Sequence, residues 1–255
     1  MLLYYITDRT QFPGDEHARR RTLLDKIVEA ARAGVDYIQL REKDLSSVDL
    51  ESLAREAVVQ TEKLASFPSR GIGIRKPGHT TLDWTFGAHA ARIRSILRRT
   101  GNRELRTRVL INSRTDIALA AGADGVHLRS EDVSPSDVRK IWNEASSRAS
   151  RLAPRISIIA VSCHSASDVA RAESEGVDFA VFAPVFEKNN APAVQPRGIS
   201  ELREACATKI PVLALGGVTI ENAASCLAAG AAGVAGIRLF QENRMEEVVR
   251  ALRAL

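Results

Sequence analysis

The sequence predicts an α/β fold, a single (β/α)8 TIM barrel, from three observations. Four alanine-rich, helix-like segments each run into a glycine, and a short apolar run follows at once. The last two of the three intervals between these glycines are both 54 residues long, which indicates a repeated unit. Eight strand-like runs in 255 residues are the number and spacing expected of one such barrel. The four glycines are Gly34, Gly122, Gly176 and Gly230.

The strand-like runs alternate with helix-like segments along the chain. Glycine ends a helix because it lacks a Cβ and tolerates the left-handed conformation there. Short apolar runs between helices predict a parallel sheet. In chain order the predicted strands are YYIT (4–7), the run after Gly34, RVLIN (108–112), the run after Gly122, ISIIAVS (156–162), the run after Gly176, PVLALGG (211–217) and the run after Gly230. The alternative, an open doubly wound sheet, would need a G-x-G-x-x-G turn where the chain has DRTQFPGDEH.

Composition restricts the class of protein. Apolar residues make up 45% of the chain, enough for one large core, so we expect residues 1–255 to form a single domain. No apolar run reaches the roughly 18 residues of a membrane helix, and a strand stands where a basic leader would, so we expect neither a membrane span nor a signal peptide. Cys163, Cys206 and Cys226 lack metal-type spacing and are expected to be reduced core thiols, which favours the cytoplasm.

The net charge of +5 is concentrated in one segment. Residues 65–108 contain ten Lys or Arg and two acidic residues, a local charge of +8. A helix predicted from Ser47 to about Leu64 precedes this segment, so it forms a basic insertion between strands two and three, on the face opposite the predicted ligand site. Because no binding motif accompanies the charge, we expect a solvated face or a subunit contact, such as a homodimer interface, and no nucleic-acid partner.

Polar residues at the C-terminal ends of barrel strands are the candidate site, because ligands bind there in this architecture. Gln39, Arg41 and Lys43 alternate along strand two, so in an extended chain they share one face. Two cations and an amide predict an anion site, since a guanidinium binds phosphate through two parallel hydrogen bonds and an ammonium acts as a point charge. The alternative is a solvated loop in which Glu42 and Asp44 neutralise these cations.

Oxygen ligands for a metal lie near strands three and four. Asn112 and Asp132 could contribute to a Mg²⁺ site, which needs few carboxylates besides water and substrate phosphates. The segment SEDVSPSDVR is equally typical of a helix start, with Ser134 or Asp132 as the cap and Pro135 in the first turn.

Strand five ends in Ser162 and His164, which share a face in an extended chain. A histidine at this position can exchange protons near neutral pH, but a nucleophilic Ser–His pair is not expected from neighbours on one strand. His127, in the middle of strand four, is expected to be a hydrogen-bonded interior residue.

Glycines end strands seven and eight, at LGGVT (215–219) and AGIR (235–238). Bare backbone N–H groups at these two ends are the usual phosphate site of this architecture. Together with the cations of strand two, they predict two anion sites on one rim, and hence two phosphorylated groups brought together.

Six segments together resemble the thiamine phosphate synthase family, which includes the thiazole tautomerase (TenI) branch. The segments are YYITDR, YIQLREKDL, LINSRTDIALAAGADGVHL, AVSCHS, GVDFAVFAPVF and PVLALGGVTIENAASCLAAGAAGVA, and they cover nearly all of the chain except the basic insertion. The resemblance implies a transferase of thiamine biosynthesis that joins hydroxymethylpyrimidine diphosphate to thiazole phosphate and releases diphosphate, with Mg²⁺ on the leaving group. It also implies that the diphosphate leaves first and that the thiazole nitrogen captures the resulting pyrimidinylmethyl cation.

The resemblance assigns roles to residues by position. The residues implied to bind the diphosphate and pyrimidine are Gln39, Arg41, Lys43 and Asn112. Those implied to bind the thiazole phosphate are Gly216, Gly217, Gly236 and Ile237. The implied catalytic residues are Ser162, His164 and Lys43. The implied metal ligand is Asp132, with Ser113 as a weak second ligand.

Three departures from the family pattern all affect the metal and diphosphate half. Ser113 replaces a metal-binding aspartate, and a hydroxyl is a poorer Mg²⁺ ligand than a carboxylate. Arg129-Ser130 replaces Gly-Gln and introduces a cation near the metal position. The lysine of the loop after strand six falls on Ala191, and only Lys188 nearby could replace it.

These departures leave three functions open, each with small phosphorylated heterocycles as partners. A synthase would need Mg²⁺. A tautomerase would act on thiazole phosphate carboxylate without a metal, using the histidine that corresponds to His164. A binder would hold thiazole phosphate without catalysis. The retained clamp of Gln39, Arg41 and Lys43 favours the synthase, because a tautomerase has little use for it.

Overall fold

The computed structural model describes residues 1–66, 106–148, 158–187 and 195–255. The strands in these ranges are β1 (Leu2–Ile6), β2 (Tyr37–Leu40), β3 (Arg108–Asn112), β4 (Gly125–Leu128), β5 (Ile158–Cys163), β6 (Phe179–Phe182), β7 (Val212–Ala214) and β8 (Gly233–Gly236). Each strand pairs in parallel with the next, and β8 pairs with β1, which closes the barrel. The predicted (β/α)8 barrel is confirmed, and the open sheet is excluded.

Helices connect the strands along the outside of the barrel. They are α1 (Glu16–Ala33), α2 (Ser47–Ser66), α3 (Thr115–Ala121), α4 (Pro135–Arg148), α5 (Ala166–Ser174), α6 (Gly198–Ala205), α7 (Ile220–Ala228), α8 (Arg238–Gln241) and α9 (Met245–Arg253), with one 3-10 turn at Arg9–Gln11. The glycine ends predicted from the sequence are confirmed, because Gly34, Gly122, Gly176 and Gly230 all have positive φ, between 68° and 104°. No described helix is long and apolar enough to cross a membrane.

Two apolar layers form the core. The larger lies between the strands and the surrounding helices, and it includes Cys163, Cys206 and Cys226, confirmed as buried free thiols. The smaller fills the barrel interior, where the ring of Phe179 lies 5.5 Å from that of Tyr4 and 5.0 Å from that of Tyr37, centroid to centroid. These packed rings close the barrel beneath the C-terminal rim, so a ligand can approach only from above them.

The predicted helix before the basic insertion is confirmed as α2. Most of the insertion, residues 67–105, lies outside the described residues. Two of its ten cations belong to the barrel, since Arg106 forms an ion pair with Asp124 and Arg108 begins β3.

Candidate functional site

Side chains at the ends of β2 and β3 form a hydrogen-bonded chain that reaches toward the β4–α4 loop. Gln39 is 1% exposed, and its Nε2 donates to Oδ1 of Asn112 at 3.3 Å. Asn112 Nδ2 donates in turn to Oγ of Ser113 at 3.1 Å. Ser113 has a φ of 61°, in the left-handed region that non-glycine residues rarely adopt, and its hydroxyl lies near enough to Asp132 to lower the pKa of that carboxyl. The register of the barrel therefore joins Gln39, Asn112 and Ser113, with Asp132 beside them.

Arg41 and Lys43 lie just past the end of β2 and form no ion pair with any described residue. Burial lowers the pKa of the Arg41 guanidinium, and nearby Arg129 lowers it further. The carboxylates of Asp8 and Glu42 act to raise it. Arg41 lowers the pKa of the Lys43 ammonium, with smaller effects from burial and from Arg129. Three cations thus share one part of the rim, which favours the binding of an anion.

The carboxylates expected to neutralise these cations bind another residue. Arg9 is 3% exposed, and its Nη1 lies 2.7 Å from Oδ1 of Asp44 and 3.2 Å from Oε2 of Glu42. Its Nε lies 2.7 Å from Oε1 of Glu16. Glu42 and Asp44 therefore form their ion pairs with Arg9 and not with Arg41 or Lys43, which disfavours the alternative of a self-neutralised loop. Arg9 was given no role from the sequence, and its place in YYITDR was the available signal.

Asp132 accepts hydrogen bonds from Arg129, one of the residues that depart from the family pattern. Its Oδ2 lies 2.7 Å from the backbone nitrogen of Arg129, and its Oδ1 lies 3.0 Å from Nη2 of the same residue. Burial acts to raise the pKa of Asp132, but these bonds and that of Ser113 bring it below its usual value. The helix cap predicted nearby is Ser134, whose Oγ accepts the N–H of Asp137 at 3.2 Å, so Asp132 is free of that role.

A polar chain crosses the apolar interior of the barrel. The Tyr4 hydroxyl lies 3.0 Å from Nδ1 of His127, and His127 Nε2 lies 2.8 Å from Oγ of Ser162. Burial lowers the pKa of His127 to about 3, so the imidazole is neutral near pH 7. The expected interior role of His127 is confirmed, whereas Tyr4 was not singled out by the sequence.

His164 follows β5 and forms no hydrogen bond with Ser162. Its Nδ1 lies 2.7 Å from the carbonyl oxygen of Ala183, and its backbone N–H donates to Oδ2 of Asp168 at 3.0 Å. The imidazole is exposed. When Nδ1 carries the proton donated to this carbonyl, Nε2 remains as an exposed base at the rim.

The two glycines after β7 form a tight backbone turn. Gly216 and Gly217 have φ values of 94° and 63°. A Cβ on Gly217 would lie 2.8 Å from Cβ of Phe186 and would also strike the carbonyl of Glu187, so only glycine fits. Within the described residues, the N–H groups of Gly216 and Gly217 donate to no other group. Asn222 supports the turn, because its Nδ2 donates to the Gly217 carbonyl at 2.9 Å.

The neighbouring strand β8 ends in a similar way. A Cβ on Gly236 would lie 2.9 Å from Cβ of Leu239, and Ile237 is the N-cap residue just before the short α8. No described residue accepts a hydrogen bond from the Ile237 N–H. All four glycine-loop residues predicted from the sequence therefore lie at the ends of two adjacent strands, with backbone donors available.

The residues present do not fit a magnesium ion. Among the described residues, no group of three or more His, Cys, Asp and Glu side chains could hold a metal. Asp132 is the one carboxylate at the predicted position, and it already binds the Arg129 guanidinium, while Ser113 offers a hydroxyl there in place of a second carboxylate. Mg²⁺ prefers carboxylates and water, and a guanidinium would repel it. Lys188 and Ala191, in the loop after β6, lie outside the described residues.

Known proteins resemble this chain in sequence and in fold. Residues 78–240 match the thiamine monophosphate synthase family model. A Geobacter sulfurreducens chain provisionally named a thiamine-phosphate synthase is 36% identical over 258 residues, 99% of this chain and 93% of that one. The thiamine-phosphate synthase of Methanoculleus marisnigri is 31% identical over 254 residues, 98% and 93% of the two chains.

A solved structure shows the same fold. Thiamine phosphate pyrophosphorylase from Pyrococcus furiosus superposes with a TM-score of 0.67 at 22% identity, covering 99% of this chain and 94% of that one. The family match, the two relatives and the shared barrel lead to one conclusion: the chain belongs to the thiamine monophosphate synthase family.

Proposed function

We propose that this protein is a thiamine phosphate synthase, which transfers the pyrimidinylmethyl group of hydroxymethylpyrimidine diphosphate to thiazole phosphate and releases diphosphate. One observation carries the proposal: a side-chain anion site at β2–β4 and a backbone anion site at β7–β8 occupy the same rim. A tautomerase or a simple binder of thiazole phosphate needs only the second of these sites. The names of the relatives support the same activity.

The β2–β4 side of the rim is proposed to hold the diphosphate and the pyrimidine. Arg41 and Lys43 have no carboxylate partner among the described residues, so their charge is available to phosphate oxygens. Gln39 and Asn112 bond each other at 3.3 Å and retain further donors and acceptors. The pyrimidine ring has its own hydrogen-bond donors and acceptors and can bind these two amides. Such binding would orient the methylene carbon that carries the diphosphate toward the barrel axis.

The β7–β8 side is proposed to hold the thiazole phosphate. The N–H groups of Gly216, Gly217 and Ile237 are available donors, and glycine allows phosphate oxygens to approach the backbone closely. Gly236 contributes by allowing the close turn into α8. Because the donors belong to the backbone, they are held in place by the barrel without side-chain ordering.

The proposed reaction breaks the bond between the pyrimidinylmethyl carbon and the diphosphate oxygen, and both electrons leave with the diphosphate. The thiazole nitrogen then donates its lone pair to the resulting cation and forms the new C–N bond. Lys43 stabilises the charge that develops on the leaving group. Ser162 presents its hydroxyl toward the barrel interior, held by neutral His127 at 2.8 Å, and can orient the reacting groups. His164 offers a base at the rim.

The resemblance implies Mg²⁺ on the departing diphosphate. When bound, such an ion would neutralise phosphate charge as a Lewis acid. Because Asp132 and Ser113 do not provide a carboxylate pair, no step of the proposed reaction is assigned to a metal. A cytoplasmic location is proposed separately, because three free buried thiols are typical of a reducing compartment.

Two assays on the purified protein test the function. Coupling of the pyrimidine diphosphate to thiazole phosphate is measured with and without Mg²⁺, beside isomerisation of the thiazole carboxylate tautomer. We expect coupling. Isomerisation alone, abolished by His164→Asn with thiazole phosphate affinity retained, would identify a tautomerase instead. Binding of thiazole phosphate with neither reaction would identify a binder.

A further inference from the structure

Asp132 cannot act as a metal ligand without losing the partners that it has. Its side chain is 11% exposed. One oxygen accepts the Arg129 backbone N–H at 2.7 Å, and the other accepts Nη2 and Nε of the Arg129 guanidinium at 3.0 and 3.3 Å. The Ser113 hydroxyl faces the same carboxylate and lowers its pKa. A divalent cation at this position would have to displace a guanidinium from a largely buried carboxylate, which is unfavourable.

Arg129 keeps donors for a ligand after it has bound Asp132. A guanidinium has five N–H groups, and Asp132 takes one from Nε and one from Nη2. Nη1 has no acceptor among the described residues, and the side chain is 59% exposed at the rim. The carboxylate thus holds the guanidinium in one orientation while leaving one side of it available to an anion.

Arg129 also belongs to the cation group at the diphosphate side. The Ser113 N–H bonds the His127 carbonyl at 2.8 Å, which sets the start of the β4–α4 loop beside the end of β3. Arg41 and Lys43 follow β2 on the other side of β3, and both have their pKa lowered in part by Arg129. Arg9 holds Glu42 and Asp44 in ion pairs, so among the described residues Asp132 is the only carboxylate that forms an ion pair with any of these three cations.

We propose that the Arg129 guanidinium, oriented by Asp132, takes the place of the divalent ion at the diphosphate subsite. Together with Arg41 and Lys43 it binds diphosphate oxygens directly, and it stabilises the leaving diphosphate without a metal. Ser113 faces Asp132 instead of ligating an ion. The inference rests on the proposed function, because it concerns the diphosphate released in that reaction.

Binding of inorganic pyrophosphate is the first test, measured by calorimetry on the whole chain. With a chelator present we expect binding, and adding Mg²⁺ should change the Kd less than about threefold. Binding that appears only with Mg²⁺ would overturn the inference, and so would an absence of binding under both conditions at millimolar pyrophosphate.

A matched pair of variants tests the residue itself. Arg129→Gln should weaken pyrophosphate binding in chelator at least tenfold. The control is Arg171→Gln in α5. Like Arg129, Arg171 is 59% exposed and pairs with an aspartate three residues away, Asp168, at 3.2 Å. Both arginines line one cavity of about 240 Å³. We expect this control to change the affinity less than twofold. Equal losses would mean that only general positive charge matters, and would contradict the proposal.

Restoring the family pattern should reverse the metal dependence. In Ser113→Asp combined with Arg129→Gly, pyrophosphate binding in chelator should weaken at least tenfold and recover when Mg²⁺ is added. Binding that stays independent of Mg²⁺ in this variant would contradict the role of Arg129. If the double variant does not fold, as judged by circular dichroism, the wild-type and Arg129→Gln measurements still decide the question.

The coupling assay separates this inference from the proposed function. Coupling with a strict Mg²⁺ requirement would overturn the inference and leave the function standing. Metal-independent pyrophosphate binding without coupling would support the Arg129 site and overturn the function.

Discussion

The two anion sites on this rim are built from different parts of the chain. At β7–β8 the donors are backbone N–H groups, presented by Gly216 and Gly217 with φ values of 94° and 63°, and a Cβ on Gly217 would clash with Phe186 and Glu187. At β2–β4 the charged groups are side chains that extend past the strand ends. The backbone site keeps the family pattern, whereas the side-chain site departs from it at Ser113 and Arg129. A side chain beyond a strand end can be replaced without altering the barrel, but a glycine inside a tight turn cannot.

A polar chain through the barrel interior lies between the two sites. Tyr4, His127 and Ser162 come from three strands and are joined by hydrogen bonds of 3.0 and 2.8 Å. Buried polar groups that are fully paired tend to specify one arrangement of the core. The hydroxyl of Ser162 is therefore held in place whichever site is occupied.

The largest effect is expected from Arg9, whose ion pairs with Glu42 and Asp44 keep these two carboxylates from pairing with Arg41 and Lys43. Arg9→Met leaves Glu42, which is 4% exposed, without its cation, and should lower the free energy of unfolding in urea by about 3–5 kcal/mol. It should also weaken pyrophosphate binding, because Asp44 becomes free to pair with Lys43, and leave thiazole phosphate binding unchanged. The control Arg55→Met, which breaks an exposed pair with Glu51, should cost less than about 0.5 kcal/mol. Equal costs would contradict this role.

The next largest effect is expected at the backbone site. Gly217→Ala adds a Cβ at a φ of 63° and 2.8 Å from Cβ of Phe186, so it should cost about 2–4 kcal/mol and weaken thiazole phosphate binding at least tenfold. Gly176→Ala has a similar φ of 73° but open space around the added atom, so it should cost about 1 kcal/mol and leave ligand binding intact. Thermal unfolding measures the stability of both variants, and calorimetry measures their binding of thiazole phosphate. Normal thiazole phosphate binding by Gly217→Ala would refute the backbone site.

A moderate effect is expected at the side-chain site. Arg41→Gln removes charged hydrogen bonds worth about 1.5–3 kcal/mol, so pyrophosphate affinity should fall about tenfold to a hundredfold. Arg41→Lys keeps the charge but loses the paired geometry, and should give an intermediate loss. Calorimetry with thiazole phosphate should show no change in either variant. If both ligands weaken together, the rim contains one anion site and the comparison between two sites fails.

Per pH unit, the smallest effect is a dependence of stability on pH. Burial lowers the pKa of His127 to about 3 from the 6.5 expected in the unfolded chain. Below pH 6.5 the unfolded chain therefore binds a proton that the folded protein does not, and stability decreases as the pH falls toward 3, by up to about 1.4 kcal/mol per pH unit.

Removing this histidine should flatten that dependence. Urea unfolding of His127→Gln should show a shallower loss of stability between pH 6 and pH 4 than the wild type shows. The control His17→Gln, at an exposed position, should keep the wild-type slope. An unchanged slope in His127→Gln would show that other groups control the acid response.

Much of the fold follows from local rules in the sequence. The C-terminal glycines, the apolar runs and the 54-residue repeat each report on a few neighbouring residues, so the barrel and its rim could be predicted without knowing any long-range contact. The candidate site residues were predictable for the same reason, since the order of strands and helices determines which end of each strand forms the rim. Partners could not be predicted in this way. Glu42 and Asp44 were plausible neighbours of Arg41 and Lys43 along the chain, but they bind Arg9, more than 30 residues away.

By itself, the sequence determined the barrel, the rim and the glycine turns at β7 and β8, because these depend on backbone conformation and on the alternation of side chains along a strand. Only the tertiary structure decided which charges meet. It paired Arg129 with Asp132 through the local turn after β4, placed Ser113 against the same carboxylate, and joined Tyr4 to His127 across 123 residues of chain. A polar side chain has several possible partners, and its choice depends on distances that closure of the barrel sets.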